Sequence, residues 1–328
     1  EIPLRLVGSE MCIRDRNTGA DLTIMEEANE FIERFEKQEC LPMITSCSPG
    51  WVRFAEKNYP DLLGHLSSCK SPHQMFGAMV KSYYAKKYNV DPSKICMVSV
   101  MPCIAKKYEC QREEMEVEGI RDVDYVITTR ELSRMIKQAN IEFTELQNDK
   151  FDEPMGEATG AGAIFGTTGG VMEAALRTAA DVLENKDLPK FEYEAVRGGK
   201  ERKEAVIEIA GKKVKAVVVS GLSNARKIMD EIKEGKADYQ FVEIMACPGG
   251  CIMGGGQPIK SSKTRSEIDV RKLRADALYS IDEKSVIRKS HENPVIKQMY
   301  EDFLQKPGSE VSHKYLHTHY SKKELYDI

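Results

Sequence analysis

Short apolar runs alternate with longer amphipathic segments along this chain, and this alternation restricts the fold more than any other feature. Strands are predicted at residues 41–46, 95–101, 125–127, 205–210, 214–220 and 241–246. Helices are predicted at residues 21–37, 72–88, 130–139, 171–183, 223–233 and 290–305. The pattern predicts an α/β fold of two lobes, each a small mixed or parallel sheet flanked by helices, with the active site in the cleft between them.

The organisation along the chain divides into four parts. Residues 1–16 contain the run VGSEMCIRDR, which resembles translated sequencing-adapter sequence, and we expect this part to be non-native. Residues 17–128 are expected to form the first lobe and residues 129–260 the second. Residues 261–328 are charged and mostly helical in pattern, which predicts a C-terminal extension that wraps the lobes.

Composition excludes several classes of partner. Lys and Arg number 48 against 52 Asp and Glu, so the net charge of −4 offers no general attraction to nucleic acid. The sequence has no apolar stretch long enough to cross a bilayer, and its start lacks a basic region followed by an apolar run. We therefore expect a cytoplasmic protein that neither binds nucleic acid nor inserts into a membrane.

The nine cysteines are too scattered, and odd in number, for a secreted disulfide framework. Cys47, Cys103 and the pair Cys247 and Cys251 each follow a predicted strand. Because ligands gather at the carboxyl ends of strands in α/β folds, three cysteine-bearing turns are expected to meet at one crevice. Thiolates from several turns suit an iron–sulfur cluster.

The sequence also allows other roles for these cysteines. A structural zinc site is one alternative, although such a site usually draws on two close cysteine pairs and the chain has one. Any single cysteine can also be a small buried apolar residue. We expect that simpler role for a group of four outside the turns, namely Cys12, Cys40, Cys96 and Cys110.

Three segments resemble the signature motifs of the iron-only ([FeFe]) hydrogenases and occur in that family's order. They read TSCSPGW (45–51), MPCIAKKYE (101–109) and EIMACPGGCIMGGGQP (243–258). The resemblance extends through DLTIMEE, SSCKSPHQ, RDVDYVITTREL, MGEATGAGAIFGTTGGVMEAALR and KSHENP, and so covers nearly the whole chain from residue 17.

The resemblance implies an H-cluster, which is a [4Fe-4S] cubane joined through a cysteine to a two-iron unit with carbon monoxide, cyanide and a bridging dithiolate. By motif position, Cys103, Cys247 and Cys251 would hold the cubane, and Cys251 would also bridge to the two-iron unit. Lys106 would donate a hydrogen bond to a cyanide. The remaining residues expected around the cofactor are Met101, Pro102, Met245, Ser71 and His73.

This sequence departs from the family pattern at one cubane ligand. The motif usually reads TSCCPGW, in which the first cysteine relays protons and the second binds the cubane, whereas here the second position is Ser48. A serine hydroxyl suits a soft cluster less well than a thiolate does. Ser48 as a weak ligand and Cys47 as its replacement both stay open, although adjacent residues near a strand end tend to point in opposite directions.

A proton route follows from the same resemblance, through Cys47, Glu27, Ser67, Glu30 and Arg34. On spacing alone, the acidic residues and the arginine at i, i+3 and i+7 are typical of a solvated helix face. The resemblance favours the route instead. His73 stands where relatives commonly have Gln and is expected to be a hydrogen-bonding neighbour, and Glu109 a supporting carboxylate.

The partners implied are a ferredoxin or similar electron carrier and the H-cluster maturation proteins. The chain has no ferredoxin-like C-x-x-C-x-x-C run, so electrons are expected to enter the cubane directly. Family members carry a further strand and helix before DLTIMEE, and we expect the first lobe to be truncated there. Two alternatives are a hydrogenase-like protein of cluster assembly or sensing without turnover, and a zinc-stabilised α/β binding protein.

Overall fold

The computed structural model describes residues 9–147, 155–156, 158–188, 192–209 and 211–324, with only the backbone for residues 9–16. The strands are β1 (Met43–Ile44), β2 (Val98–Met101), β3 (Glu116–Val117), β4 (Ile120–Arg121), β5 (Tyr125–Thr128), β6 (Arg202–Ile209), β7 (Lys212–Ser220) and β8 (Phe241–Met245). The helices of the first half are α1 (Ser9–Lys37), α2 (Pro49–Asn58), α3 (Pro72–Met79), α4 (Ala85–Lys87), α5 (Lys106–Glu109) and α6 (Thr129–Gln138). Those of the second half are α7 (Gly160–Ile164), α8 (Gly170–Glu184), α9 (Leu222–Lys233), α10 (Ser262–Glu267), α11 (Val270–Lys284), α12 (Pro294–Met299) and α13 (Glu310–Leu316).

The larger sheet has the strand order β1-β8-β7-β6, with β1, β8 and β7 parallel and β6 antiparallel to β7. Side chains alternate between its two faces, as strand geometry requires. Phe241 packs into the core that includes α1 and α8, and Val242 packs into the core that includes α2 and α9. Both faces of the sheet are therefore covered by helices, which explains its nearly continuous apolar strands.

The smaller sheet pairs β2 with β5 in parallel. β3 and β4, which lie between these strands in the sequence, form a separate antiparallel pair. β5 leads directly into α6 through a capping box, in which the Thr128 hydroxyl accepts from the backbone N–H of Glu131 and the Glu131 carboxylate accepts from that of Thr128. The predicted α/β class with small sheets flanked by helices is confirmed.

The first helix begins earlier than the sequence pattern predicted. α1 starts at Ser9 instead of residue 21, so it extends into the segment expected to be non-native, whose residues 1–8 lie outside the described part. The added part of α1 approaches α3 closely. A Cβ on Gly19 would lie 2.2 Å from the backbone oxygen of Pro72, so glycine here lets the helices touch.

Two predicted single helices are interrupted. The helix predicted at residues 72–88 is α3 and α4 joined by a π-helical segment, Val80–Tyr84. The helix predicted at residues 290–305 divides into a 3₁₀ turn, α12 and another π-helical segment, Tyr300–Leu304. Ser290 and Asn293 explain the first break. Their side chains donate hydrogen bonds to the Asp21 carboxylate of α1, and these bonds hold the segment in a conformation that is not a continuous helix.

The lobe boundary at residues 128 and 129 stays a prediction. β1 lies before it and pairs with β8 after it, so the larger sheet draws on both predicted lobes. In the described part of residues 261–328, α11 packs on α7, and α12 and α13 pack near α1 and α3. The end of the predicted strand at Ala210 lies outside the described residues.

Candidate functional site

Three cysteine-bearing turns converge on one small cavity. Cys47 follows β1, Cys103 follows β2, and Cys251 lies in the turn after β8. The cavity has a volume of about 40 Å³ and its walls are almost entirely apolar. Its lining residues are Cys47, Pro72, His73, Met101, Pro102, Cys103, Lys106, Phe165, Met245 and Cys251. The predicted crevice therefore exists, and it joins turns that are far apart in the sequence.

Glycines hold the turn after β8 close to its neighbours. Gly250 has φ of +87°, and a Cβ there would lie 2.8 Å from the backbone nitrogen of Thr168. A Cβ on Gly254 would lie 2.2 Å from the oxygen of Pro102, and the N–H of Gly256 donates to that same oxygen at 2.8 Å. The turns that carry Cys103 and Cys251 are thus fastened together backbone to backbone.

The remaining predicted cubane positions lie at the same end of the sheet. Cys247 follows β8 directly, and burial, followed by the nearby Cys103, raises the pKa of its thiol. Ser48 is the N-cap residue of α2, and its Oγ accepts a hydrogen bond of 3.2 Å from the N–H of Ala246. Its hydroxyl therefore binds the backbone of the residue that precedes Cys247.

A buried polar cluster centred on Glu109 stands beside the cavity. The Glu109 carboxylate contacts His73 Nε2 at 2.5 Å and Lys106 Nζ at 2.8 Å, and accepts from the Ser71 hydroxyl at 2.9 Å. Burial acts to raise the pKa of Glu109, but Lys106 and His73 outweigh it and lower that pKa to about 2. His73 Nδ1 also lies 3.1 Å from the Ser99 hydroxyl.

Lys106 reaches two of the predicted site features. Its Nζ donates to the backbone oxygen of Cys47 at 3.1 Å as well as to Glu109. The ammonium group is therefore held at the edge of an apolar cavity by one carboxylate and one carbonyl. The Lys106 ammonium group could therefore donate a charge-assisted hydrogen bond to an anionic ligand in the cavity.

The residues of the predicted proton route lie near one another, and its outer members are joined by hydrogen bonds. Ser67 hydrogen-bonds the Glu27 carboxyl, and its hydroxyl donates to Glu30 Oε2 at 3.0 Å. Arg34 Nη2 donates to Glu30 Oε1 at 2.6 Å, and the Arg34 side chain is partly exposed. Cys47 lies within electrostatic reach of Glu27 at the other end. The line leads from the cavity towards solvent.

The ionisation of its inner members is strongly perturbed. Burial, followed by the charge of Glu30, raises the pKa of Glu27 to about 8. Burial, followed by the charge of Glu27, raises the pKa of the Cys47 thiol well above its usual value. Both groups are therefore protonated near neutral pH. Each would act in proton transfer by donating its own proton and then accepting a new one from its neighbour.

Sequence reasoning missed Glu243 and Phe165. Glu243, on β8, is fully buried and accepts from the backbone N–H of Gly169 at 2.6 Å and of Met172 at 2.8 Å. It thereby caps the start of α8, close to Thr168, the residue whose backbone Gly250 of the Cys251 turn approaches. A lone carboxylate within the apolar run FVEIM was the available signal, whereas nothing local distinguished Phe165.

The four cysteines expected to be simple buried residues have different environments. Cys110 is buried as predicted. Cys40 and Cys96 are exposed, so that prediction was wrong for them; both lie in loops beside α1 and β2 where nothing covers the side chain. The side chain of Cys12 lies outside the described part. Among the helices that the structure describes, none has the length and apolar character needed to span a membrane.

Comparison with known proteins identifies the family. The profile "Iron only hydrogenase large subunit, C-terminal domain" matches residues 4–255, and "Iron hydrogenase small subunit" matches residues 268–323. This chain belongs to the iron-only hydrogenase family. Iron hydrogenase 1 of Clostridium pasteurianum is 50% identical over 319 residues, which are 97% of this chain and 55% of that protein.

Other relatives of this chain differ in role. The NADP-reducing hydrogenase subunit HndD of Solidesulfovibrio fructosivorans is 48% identical over 94% of the chain and 53% of its own length. The cytosolic Fe-S cluster assembly factor narfl of Xenopus tropicalis is 34% identical over 94% of the chain and 66% of its own length. The chain thus spans about half the length of the two hydrogenases from Clostridium pasteurianum and Solidesulfovibrio fructosivorans.

A solved structure agrees with the fold. Apo [FeFe]-hydrogenase HydA1 from Chlamydomonas reinhardtii, in a variant form, superimposes with a TM-score of 0.81 at 41% identity, covering 94% of this chain and 84% of that one. The family and the α/β architecture with its small sheets are therefore both established.

Proposed function

We propose that this chain is the catalytic domain of an [FeFe]-hydrogenase, which interconverts protons and electrons with dihydrogen at an H-cluster. The observation that carries the proposal is the meeting of Cys47, Cys103 and Cys251 with Lys106 around one apolar cavity. A pocket of this composition suits a soft, anionic metal group better than a polar substrate.

The donor set fits the implied cofactor. Cys103, Cys247, Cys251 and Ser48 would hold the cubane, with Cys251 also bridging to the two-iron unit. Lys106 would donate to a cyanide, and the apolar walls would keep water from the metal. When bound, the group supplies an open Lewis-acidic iron and an adjacent base for heterolysis of dihydrogen.

Most of what remains for the protein is proton transfer. The Cys47 thiol would give its proton to the cavity and be reprotonated from Glu27. The protonated Glu27 carboxyl can donate to Ser67, whose hydroxyl already donates to Glu30. Arg34 holds the outer carboxylate at the end of the line. The steps from Ser67 outwards follow existing hydrogen bonds, whereas the transfer from Glu27 to Cys47 requires the two side chains to approach each other.

The proposed electron carrier is an external ferredoxin or similar protein. Arg274 donates to the backbone oxygen of Ile252, and Arg271 packs against Gly249. Positive charge beside the turn that bears Cys247 and Cys251 suits an acidic carrier. We further propose maturation by H-cluster assembly proteins in the cytoplasm, although one relative is a periplasmic hydrogenase.

The test uses protein matured with the two-iron unit and reduced viologen as electron donor. Gas chromatography should detect hydrogen from the parent and from Cys96→Ala, an exposed control. Cys47→Ala should lose turnover while its infrared bands of bound carbon monoxide and cyanide persist, because the thiol acts on protons. Turnover by Cys47→Ala at the parental rate would contradict the proton route.

The second candidate is a hydrogenase-like iron–sulfur protein of cluster assembly or sensing without turnover. Two observations favour it, namely Ser48 at a ligand position and the iron–sulfur assembly relatives at 31–34% identity. The same experiment separates the two candidates. A chain with full iron content and the infrared bands, but no hydrogen, would favour this second function.

A further inference from the structure

A group of potential metal ligands lies outside the cysteine-lined cavity. Glu30, Cys69 and His317 each offer a donor atom, and these atoms all lie within 4.8 Å of one another. The three residues come from α1, from the segment before α3, and from the segment after α13. Their meeting is therefore a product of the tertiary fold, in contrast to neighbours on one helix.

Backbone hydrogen bonds fix two of the three donors. Cys69 and His317 face each other as an antiparallel bridge pair. On either side, the N–H of Lys70 donates to the oxygen of Leu316 at 2.8 Å, and the N–H of Thr318 donates to that of Ser68 at 2.7 Å. The backbones that carry the thiol and the imidazole are thus joined by a short antiparallel ladder, which limits the separation of the two side chains.

The third donor, Glu30, is close and well oriented. Its Oε2 lies 3.6 Å from the Cys69 sulfur. Thiolate, imidazole and carboxylate are the three ligand types that Zn²⁺ takes in proteins, and their bond lengths place donors roughly 3–4 Å apart in a tetrahedron. A contraction of about 1 Å in the widest pair closes the site, which is within the reach of side-chain torsions.

The imidazole is oriented as a metal-binding histidine is. His317 Nε2 lies 3.0 Å from Oε2 of the buried Glu26, and Nδ1 lies 2.8 Å from the Ser68 hydroxyl, next to Cys69. A carboxylate on one ring nitrogen fixes the ring and strengthens the other nitrogen as a donor. Rotation of the Ser68 hydroxyl frees Nδ1 for a metal.

A solvent-connected cavity of about 290 Å³ gives access to Glu30 and His317, and the buried Cys69 lies behind its wall, next to the lining residue Ser68. Glu30, His317 and Ser68 lie in its wall, with more acidic than basic side chains. The acidic members are Glu26, Glu30, Glu33 and Glu39, and the basic members are Arg34 and Lys37, with the two histidines His313 and His317. This charge balance favours entry of a cation, and the open volume leaves room for a water as fourth ligand.

We propose that Glu30, Cys69 and His317 form a binding site for a divalent cation of the zinc class, and that its occupation shuts the proton route. The oxygen that faces Cys69 is Oε2, the same atom that accepts from the Ser67 hydroxyl. A cation on that oxygen displaces the hydroxyl, and the Cys69 thiol releases its proton to solvent as its sulfur binds the cation. Arg34 contacts the other oxygen, Oε1, and stays bound. The cation thus breaks the line between Ser67 and Glu30.

The site itself is independent of the catalytic proposal, whereas the inhibition rests on it. Binding is therefore measured first, on the full chain loaded with its cubane, by calorimetric titration with Zn²⁺. One equivalent should bind to the parent. Cys69→Ser and His317→Gln should each weaken that binding by at least about tenfold, because each removes a ligand. Glu33→Gln and Cys96→Ser, which alter residues outside the ligand set, should bind as the parent does.

X-ray absorption at the zinc edge gives a second measure of the site. The parent spectrum should require one sulfur at about 2.3 Å with the other ligands at about 2.0–2.2 Å. The sulfur contribution should vanish in Cys69→Ser. A first shell without sulfur in the parent, or a binding constant unchanged in both ligand variants, would overturn the site.

Hydrogen evolution then tests the inhibition. Zn²⁺ at saturating concentration should lower turnover in the parent at least about tenfold, leave the cofactor infrared bands unshifted, and spare Cys69→Ser and His317→Gln. Equal inhibition of the parent and both variants would overturn the regulatory role. Should the matured chain evolve no hydrogen at all, the proposed function fails, while calorimetry and absorption still decide the metal site.

Discussion

Replacing Glu27 by glutamine tests the most perturbed carboxyl of the proposed proton route. The variant keeps the shape of the side chain and removes its ionisation. Because burial and then Glu30 raise the pKa of Glu27 from 4.5 to about 8, the folded chain binds a proton there that the unfolded chain releases between these two values. The stability due to this proton is complete below pH 4.5 and is lost as the pH rises through 8.

The size of the effect follows from the two pKa values. One pKa unit corresponds to about 1.4 kcal/mol. Linkage therefore lowers the free energy of unfolding of the parent, relative to its value at low pH, by about 2 kcal/mol at pH 6 and about 5 kcal/mol at pH 9. Glu27→Gln lacks this loss. The free energy of unfolding of the variant, relative to the parent, should therefore rise by about 3 kcal/mol between pH 6 and pH 9.

Urea unfolding of the iron-free, reduced chain measures this difference. Trp51 is the single tryptophan and is fully buried, so its fluorescence reports global unfolding. Glu33→Gln, on the same helix but with a half-exposed side chain paired to Lys37, should differ from the parent by less than about 0.5 kcal/mol at both pH values. Parallel pH dependences for Glu27→Gln and the parent would refute the assignment of a protonated Glu27.

Three further variants test the site and its support. Ser48→Cys should raise the iron bound per chain, because a thiolate suits the cubane better than a hydroxyl, and iron analysis after reconstitution measures it. Gly254→Ala should lower the iron content, since its Cβ would meet the oxygen of Pro102 at 2.2 Å and push two ligand turns apart. Arg177→Met should reduce the free energy of unfolding by about 3 kcal/mol, because it leaves the buried Asp282 carboxylate short of a partner; urea unfolding tests this.

Matched controls exist for each of these variants. Ser93→Cys adds a thiol on an exposed turn and should leave the iron count unchanged. Gly64→Ala places a methyl group in open space and should retain iron. Lys272→Met removes an exposed pair with Asp276 and should cost less than about 0.5 kcal/mol. If a control matched its test variant, the corresponding structural explanation would be wrong.

The parts of the fold that the sequence predicted well are those with local signals. The strands before Cys103 and Cys247 are apolar runs that end in Pro or Gly, and both were placed within a few residues. The pairing of β1 with β8 could not be predicted. β1 is two residues long, so its position depends on tertiary contacts and not on its own propensity.

The candidate site shows the same division. Most of the residues that line the cavity were found because motif and strand end coincide in the sequence, whereas Pro72 and Phe165 were not predicted. Glu243 was missed since its partners are backbone N–H groups of α8, which carry no residue identity. The Cys69 and His317 pair was missed as well, because the two residues lie 248 positions apart in the sequence and, although Cys69 stands in SSCKSPHQ, no local pattern links it to His317.

The parallel pairing of β1 with β8 bears on how this protein is made. Its register joins Met43 to Phe241 and Ile44 to Val242, so the turn with Cys47 is positioned by a strand synthesised some 200 residues later. A chain emerging from the ribosome has no complete metal cradle until that late strand docks, since contacts so distant in sequence form slowly. We therefore expect the proposed cofactor to be delivered only after this late strand has docked.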